Sequence, residues 1–260
     1  MLLENKVAIV TGIGPAMGRS IALAYAREGA KLVLAARRIE RLEAVKEEVE
    51  AAGGEVIAIP TDITDRAACQ RLVDETVSHF GGVDILVQNG HYDGDYKIVS
   101  ESDPDDWRAI MEVNLFGALH LVQMVTPSMR ERGDGRIVLI NTGASTDPPA
   151  TLGAYAASKA ALASLARTIA VELGPDGIRA NGVQLGPVQG DNWNGWIEAG
   201  SKAAGMTQEE FTVDQCKDVP LRSVATADEC AGTVVFLASD LARPITGQSV
   251  AVNSGRWFVS

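Results

Sequence analysis

A tyrosine and a lysine four residues apart, Tyr155 and Lys159, stand in an apolar, alanine-rich segment with helical periodicity. On a helix this spacing places both side chains on one face. A phenol has a pKa of about 10 and is a poor base at neutral pH, but a neighbouring ammonium group favours the phenolate. The pair could therefore take a proton from a substrate hydroxyl. The same spacing also occurs by chance on helix surfaces, so the pair alone leaves both interpretations open.

A glycine-rich stretch near the N-terminus follows a short apolar run and precedes a helical pattern. Its glycines Gly12, Gly14 and Gly18 miss the dinucleotide-binding spacing by one residue, because Met17 stands where the third glycine would be. The free backbone N–H groups at a helix start carry partial positive charge and can hold a pyrophosphate. We interpret the stretch as a phosphate-binding loop; a purely structural strand-to-helix turn is the alternative.

The ends of the second and third apolar runs carry residues that could select a cofactor. After the second run, Ala36 offers no carboxylate for an adenosine ribose, whereas Arg37 and Arg38 are cations suited to a 2′-phosphate. This favours NADP(H) over NAD(H), although arginines at a solvated helix start are the alternative. After the third run, Asp62 can accept a hydrogen bond from an adenine amino group or cap the next helix, as Thr64 or Asp65 also could.

The elements that must position these residues alternate along the chain. Short, continuously apolar runs are followed by helical patterns, which predicts parallel strands covered on both faces. The predicted fold class is a single doubly wound α/β sheet forming one domain over residues 1–260. Ligands bind beyond the carboxyl ends of such strands, so the loops there are where we expect chemistry. An irregular stretch at about residues 190–219 is interpreted as a substrate lid.

Composition limits the partners. The net charge of −11 and a pI of about 4.8 repel phosphate backbones and anionic lipid surfaces, so neither nucleic acid nor a membrane is an expected partner. We find neither a signal-peptide pattern nor a run of about 18 apolar residues, which predicts a cytoplasmic protein. Three cysteines and three histidines are dispersed, so no metal site is predicted.

Taken together, these motifs resemble the short-chain dehydrogenase/reductase family over almost the whole chain. Thr11, Gly12, Ala16 and Gly18 match the family's T-G-x-x-x-G-x-G pattern, with alanine in place of the middle glycine. The resemblance implies a Rossmann fold and a nicotinamide cofactor. It also implies a homotetramer, since proteins of this family are usually tetramers.

The resemblance assigns the chemistry to four residues. Tyr155 is the implied acid/base, Lys159 lowers its pKa and binds the nicotinamide ribose, and Asn114 holds a water in the proton relay. The family's serine falls on Thr142, whose hydroxyl can bond the reacting oxygen while its methyl group crowds the site. Ser145, three residues further on, is the other candidate for this role.

Two departures from the family occur at the cofactor's nicotinamide end. His91 replaces a glycine after the fourth strand and could contact cofactor or substrate, or face solvent. Gly190 replaces a threonine, which removes one expected cofactor hydrogen bond. The predicted cofactor contacts, in addition to Tyr155 and Lys159, are Gly12, Gly14, Ala16, Met17, Gly18, Arg37, Asp62, Ile63, Asn89, Gly90, Gly186 and Val188.

These assignments predict reversible hydride transfer between a secondary alcohol and a ketone. Apolar lid residues, Trp193, Trp196, Met206 and Phe211, indicate a hydrophobic or cyclic substrate, or else pack the lid onto the domain. A non-catalytic dinucleotide-binding or scaffold protein on the same fold is the alternative function, and dehydration or epimerisation is a further one.

Overall fold

The computed structural model describes residues 1–258 and, within them, every side chain except that of Asn192. The strands are β1 Val7–Thr11, β2 Lys31–Ala36, β3 Val56–Pro60, β4 Ile85–Gln88, β5 Gly135–Thr142, β6 Ile178–Leu185, β7 Val188–Gln189, β8 Ala225–Thr226 and β9 Ser249–Val252. Seven of them form a parallel sheet in the order β3-β2-β1-β4-β5-β6-β9, and the two short strands β7 and β8 pair separately.

Helices cover both faces of the sheet. They are α1 Met17–Arg27, α2 Ile39–Ala51, α3 Arg66–Phe80, α4 Pro104–Met111, α5 Gly117–Arg132, α6 Gly153–Leu173, α7 Asp191–Ala204, α8 Gln208–Cys216 and α9 Ala227–Ala238. One apolar cluster joins α1, α2 and α9 to the sheet, and a second joins α3, α5 and α6 to the opposite face. This confirms the predicted doubly wound α/β fold, whose central strands are buried on both sides.

The winding of the sheet reverses beside β1. From β1 the chain continues outward to β2 and β3 and then returns to β4 on the other side of β1. The loops after these strands diverge above the reversal and leave a crevice at the carboxyl ends of the strands. The longest register, between β5 and β6, runs from Gly135 opposite Ile178 to Thr142 opposite Leu185 and ends at this crevice.

The stretch predicted to be irregular is mostly helical, which corrects the sequence interpretation. Helices α7 and α8 occupy residues 191–216 within the predicted lid at about 190–219. A capping box, in which Thr207 and Glu210 each bond the other's backbone N–H, begins α8. Gly200 lets the two helices approach, because a Cβ there would overlap the ring of Phe211.

One continuous helical segment, Pro104–Arg132, is long and apolar enough to cross a membrane by length and mean hydropathy alone. In this fold its α5 part packs on α3 and the sheet with Leu121, Val125 and Met129 fully buried. Burial in the core accounts for this apolar character, since core helices of globular proteins carry the same composition.

Candidate active site

A cleft of about 1080 Å³ opens at the carboxyl ends of β1, β2, β4, β5 and β6. It brings together most of the residues predicted from the sequence, and it leaves Asn114, Ser145, Trp193 and Trp196 outside its lining. The predicted residues that line it are Gly12, Gly14, Ala16, Met17, Gly18, Arg37, Asp62, Ile63, Asn89, Gly90, His91, Thr142, Tyr155, Lys159, Gly186 and Val188.

The glycine-rich loop between β1 and α1 is held by close backbone contacts. Gly12 has a φ of +67°, and a Cβ there would overlap the backbone nitrogen of Gly90. A Cβ on Gly18 would lie 2.6 Å from the carbonyl oxygen of Gly12. By contrast, a Cβ on Gly14 would meet nothing within 4 Å and would project into open space. Packing therefore requires Gly12 and Gly18, whereas Gly14 leaves room for a ligand.

This contrast gives a matched pair of substitutions. We expect Gly12→Ala to lower the free energy of unfolding by roughly 2–4 kcal/mol, because it adds a positive-φ strain and a backbone overlap. Gly14→Ala should change stability by no more than about 0.5 kcal/mol but weaken dinucleotide binding. Urea unfolding and calorimetric titration of both variants test this; equal stability of the two would contradict it.

The end of the cleft at β2 is basic. Arg37, Arg38 and Arg41 all line it and are exposed to solvent. Asp62 accepts hydrogen bonds from the backbone nitrogen and hydroxyl of Thr64, at 3.0 and 2.8 Å, while Asp65 caps α3. The structure thus settles the capping alternative in favour of Asp65 and leaves Asp62 at the cleft wall. Sequence analysis did not single out Arg41. Its position in the first turn of α2, close after Arg37 and Arg38, was the available signal.

The opposite end of the cleft holds Tyr155 and Lys159 on one face of α6. The ammonium nitrogen of Lys159 donates to the carbonyl of Ile140 at 2.9 Å and lies 5.7 Å from the centre of the Tyr155 ring. Burial lowers the pKa of Lys159 to about 8, and Asp93 acts in the opposite direction. The spacing therefore does place phenol and ammonium together at the cleft wall.

The pKa of Tyr155 differs from the expectation. Burial raises it, Asp93 and Tyr96 raise it further, and a hydrogen bond with Thr142 lowers it. Burial of the ring is the largest of these causes and outweighs the hydrogen bond, so the pKa lies above the usual value of a phenol. The lowering by Lys159 that the resemblance implies stays a prediction. At neutral pH, Tyr155 is consequently a protonated phenol.

The structure separates the two candidate hydroxyl groups. Thr142, at the end of β5, lines the cleft, and its hydroxyl accepts from the backbone nitrogen of Ala144 at 3.3 Å. Ser145 lies outside the lining, donates to the carbonyl of Thr142 at 2.7 Å and accepts from Gln184 at 3.1 Å. Its hydroxyl is thus engaged in holding the loop after β5. Of the two hydroxyl groups, only that of Thr142 belongs to a residue lining the cleft.

Asn114 lies on a π-helical turn between α4 and α5 and is fully buried. Its side chain accepts from the backbone nitrogen of Tyr92 at 2.8 Å and donates to the carbonyl of Tyr92 at 3.0 Å and to Ser158 at 2.9 Å. Both of its N–H donors are committed, so in this structure the side chain fastens the loop after β4 to α6. A role in a proton relay stays a prediction.

The loop after β4 places acidic and aromatic groups beside Tyr155. The His91 ring lies 6.3 Å from the Tyr155 ring, between centres. Its two nitrogens are each 3.3 Å from an oxygen, the carbonyl of Asn89 and the carboxylate of Asp93. Sequence analysis missed Asp93 and Tyr96, whose signal is the run of aspartates and tyrosines that follows His91.

The lid aromatics form their own cluster. The rings of Trp193 and Trp196 are 5.1 Å apart, and those of Trp196 and Phe211 are 5.5 Å apart. Neither tryptophan lines the cleft, and Trp196 is 46% exposed. These contacts favour the packing interpretation of the lid residues over direct contact with substrate. Within residues 1–258, no group of three or more potential metal ligands is found.

The residues fit a dinucleotide. Gly14 leaves free the space that a side chain would fill, next to the N-terminus of α1, where backbone N–H groups favour a pyrophosphate. The cleft exceeds the range of about 300–1,000 Å³ usual for small ligands, as an extended ligand requires. Gly186 and Val188 after β6 line the end near Tyr155, whereas Arg37 lines the other.

Comparisons with known proteins agree with this geometry. Residues 6–199 match the short chain dehydrogenase family. The chain is 31% identical to 7alpha-hydroxysteroid dehydrogenase of Escherichia coli K12, covering 97% of this chain and 94% of that protein. It superposes on NAD+-bound xylitol dehydrogenase with a TM-score of 0.89 and 30% identity, over 98% of this chain and 100% of that one.

A second solved structure is L-sorbose reductase from Gluconobacter frateurii, complexed with NADPH and L-sorbose. It gives a TM-score of 0.91 at 28% identity, over 98% of both chains. The family match, the shared sheet and the position of the cleft therefore agree that this chain is an oxidoreductase of the short-chain dehydrogenase/reductase family.

Proposed function

We propose that this protein interconverts a secondary alcohol and a ketone with a nicotinamide dinucleotide, preferring NADP(H). The observation that carries the proposal is the placement of Tyr155, Lys159 and Thr142 at one end of a single cleft and of the glycine-rich loop and Arg37 at the other. Solved relatives with the same fold bind NAD+ or NADPH, and their names describe alcohol and ketone chemistry.

In the reductive direction, Tyr155 donates its proton to the carbonyl oxygen of the substrate, and the Thr142 hydroxyl holds that oxygen. The bound nicotinamide would supply the hydride, or accept it in the oxidative direction. The raised pKa of Tyr155 keeps the proton on the phenol at neutral pH, which suits an acid. Lys159, buried beside the ring, stabilises the phenolate that remains.

Cofactor preference is tested at Arg37. We expect calorimetric titration to show that Arg37→Ala weakens NADPH binding by roughly ten- to hundredfold, because a charge-assisted hydrogen bond to the 2′-phosphate is lost. Binding of NADH, which lacks that phosphate, should change by less than about threefold. Arg27→Ala, an exposed arginine outside the cleft, is the matched control.

Tighter binding of NADH than NADPH by the unaltered protein would refute the preference. If the protein bound neither NADPH nor NADH, the alternative function of a scaffold protein would be favoured. Binding of both without oxidation of NADPH by any ketone would leave a non-catalytic dinucleotide-binding protein.

Three further features belong to this proposal. The substrate is a small alcohol or ketone with a hydrophobic or cyclic body, in keeping with a relative named for a steroid substrate. The protein works as a homotetramer in the cytoplasm, without nucleic acid or membrane as a partner. Its acidic net charge of −11 supports the exclusion of polyanionic partners.

A further inference from the structure

The loop after β4 carries a polar group that the proposed reaction does not use. His91 lines the cleft, and its Nε2 atom lies 3.3 Å from one oxygen of Asp93. The other oxygen of Asp93 accepts from the hydroxyl of Tyr96 at 3.3 Å. Burial raises the pKa of Tyr155 and lowers that of Lys159, and the charge of Asp93 adds to the first effect and opposes the second. We call His91, Asp93 and Tyr96 the loop triad.

The loop triad is held in place. Both backbone groups of Tyr92, which lies between His91 and Asp93, bond to the buried side chain of Asn114. Gly94 has a φ of +73°, and a Cβ there would overlap Ile110 on α4. Asp106 accepts from the backbone nitrogen of Asp95 at 3.1 Å. The backbone of residues 92–95 is therefore tied to α4 and to the π-helical turn.

The His91 ring has one hydrogen-bond donor fewer than the number of acceptors that face it. Burial and the charge of Lys159 lower the pKa of His91, so at neutral pH its ring has a single N–H. Both ring nitrogens face an acceptor, the carbonyl of Asn89 and the carboxylate of Asp93. Whichever nitrogen holds the proton, the other presents a lone pair to an oxygen. A ligand that donates a hydrogen bond would relieve this mismatch.

The charges around the loop triad limit which chemical groups of a ligand could donate this hydrogen bond. The carboxylate of Asp93 repels an anionic substituent, such as a carboxylate or a phosphate. The buried ammonium of Lys159 repels a cationic substituent, just as it disfavours protonation of His91. A neutral hydroxyl group donates without carrying either charge. The His91 and Tyr155 rings lie 6.3 Å apart between centres, a separation that suits hydroxyl groups on neighbouring carbons of one substrate.

Resting on the proposed function, we infer that the loop triad is a specificity site for a second substrate hydroxyl, so that the substrate is a vicinal diol in one direction and an α-hydroxyketone in the other. His91, the member of the loop triad that lines the cleft, binds that hydroxyl, and Asp93 and Tyr96, which lie outside the cleft lining, position the His91 ring.

The test compares oxidation of cyclohexanol, cyclohexane-1,2-diol and 2-aminocyclohexanol with NADP+ at pH 7.5. We expect kcat/KM for the diol to exceed that for cyclohexanol and for the amine by about tenfold or more, as expected for one added hydrogen bond to a charged group. In Asp93→Asn the preference for the diol should fall to within about threefold, mainly through KM, because the new amide can itself donate to His91. His91→Phe should lose the same preference.

Asp95→Asn is the matched control, since it removes a carboxylate from the same loop that is 63% exposed and paired with Lys97. It should keep the full preference for the diol. Equal turnover of cyclohexanol and the diol overturns the inference and leaves the proposed function intact, as does a preference for the amine. A diol preference that survives in both Asp93→Asn and His91→Phe assigns the selectivity elsewhere and also overturns it. No turnover of any of the three overturns the inference, whereas the proposed function is overturned only if NADPH reduces none of the ketones in a wider panel.

Discussion

We expect Tyr155→Phe to reduce the rate constant for ketone reduction by about 10²- to 10⁴-fold, the usual contribution of a positioned acid. The substitution removes only the hydroxyl, so the ring still fills its half-buried position on α6. NADPH binding should weaken far less than the rate falls. Single-turnover oxidation of NADPH, followed by absorbance, separates the chemical step from binding and product release.

The pH dependence of this reaction provides a second check on Tyr155. Because burial raises the pKa of the phenol, the acid form persists to alkaline pH and the reductive rate should hold up well above neutrality. The residual rate of Tyr155→Phe should lack that dependence. Tyr92→Phe removes a hydroxyl that reaches only Asp106 and should change the rate by less than about threefold. A rate in Tyr155→Phe close to that of the unaltered protein would remove Tyr155 from the mechanism.

Lys159→Met should abolish most of the turnover and also change how stability depends on pH. Below about pH 8 the lysine is charged in both folded and unfolded chains, and the folded protein bears the full cost of burying it. Between about pH 8 and 10.5 the folded protein holds neutral lysine while the unfolded chain still binds the proton. Stability from this group therefore rises with pH across that interval, by about 3 kcal/mol in total.

In Lys159→Met that rise should be missing. At pH 7 the two effects of the substitution oppose each other, since removal of a buried charge stabilises the fold while the carbonyl of Ile140 loses its donor. The measurement is the free energy of unfolding in urea from pH 7.5 to 10.5 for both proteins, because other titrating groups contribute equally and cancel in the difference. Parallel curves would show that Lys159 is not the buried charge that the structure indicates.

Sequence patterns predicted the sheet well because strands β1 to β4 are almost continuously apolar, as is typical of parallel strands buried on both faces. The helices of the lid were missed because glycines interrupt residues 190–219, although the Thr207–Glu210 capping box was readable. The two helices are also held by the packing of Phe211 on Gly200, a contact that the local sequence pattern does not reveal.

The sequence predicts the position of a site residue where that position depends on residues close to it in the chain. It does not where the position depends on contacts with distant residues. Tyr155 and Lys159 share a helix face by their spacing alone. The need for Gly12 arises from the backbone of Gly90, and the partners of Asn114 lie 22 and 44 residues away. Likewise, only the direction of the chain after β5 decides that Thr142, and not Ser145, faces the cleft.

Transfer of deuterium from cofactor to substrate tests the central claim most directly. The protein would be mixed with NADPH deuterated at C4 of the nicotinamide and a panel of ketones and α-hydroxyketones, and the products analysed by mass spectrometry. We predict one deuterium on the carbinol carbon of at least one product, absent with Tyr155→Phe. Tight NADPH binding with no deuterium in any product would contradict the assignment of this cleft to hydride transfer.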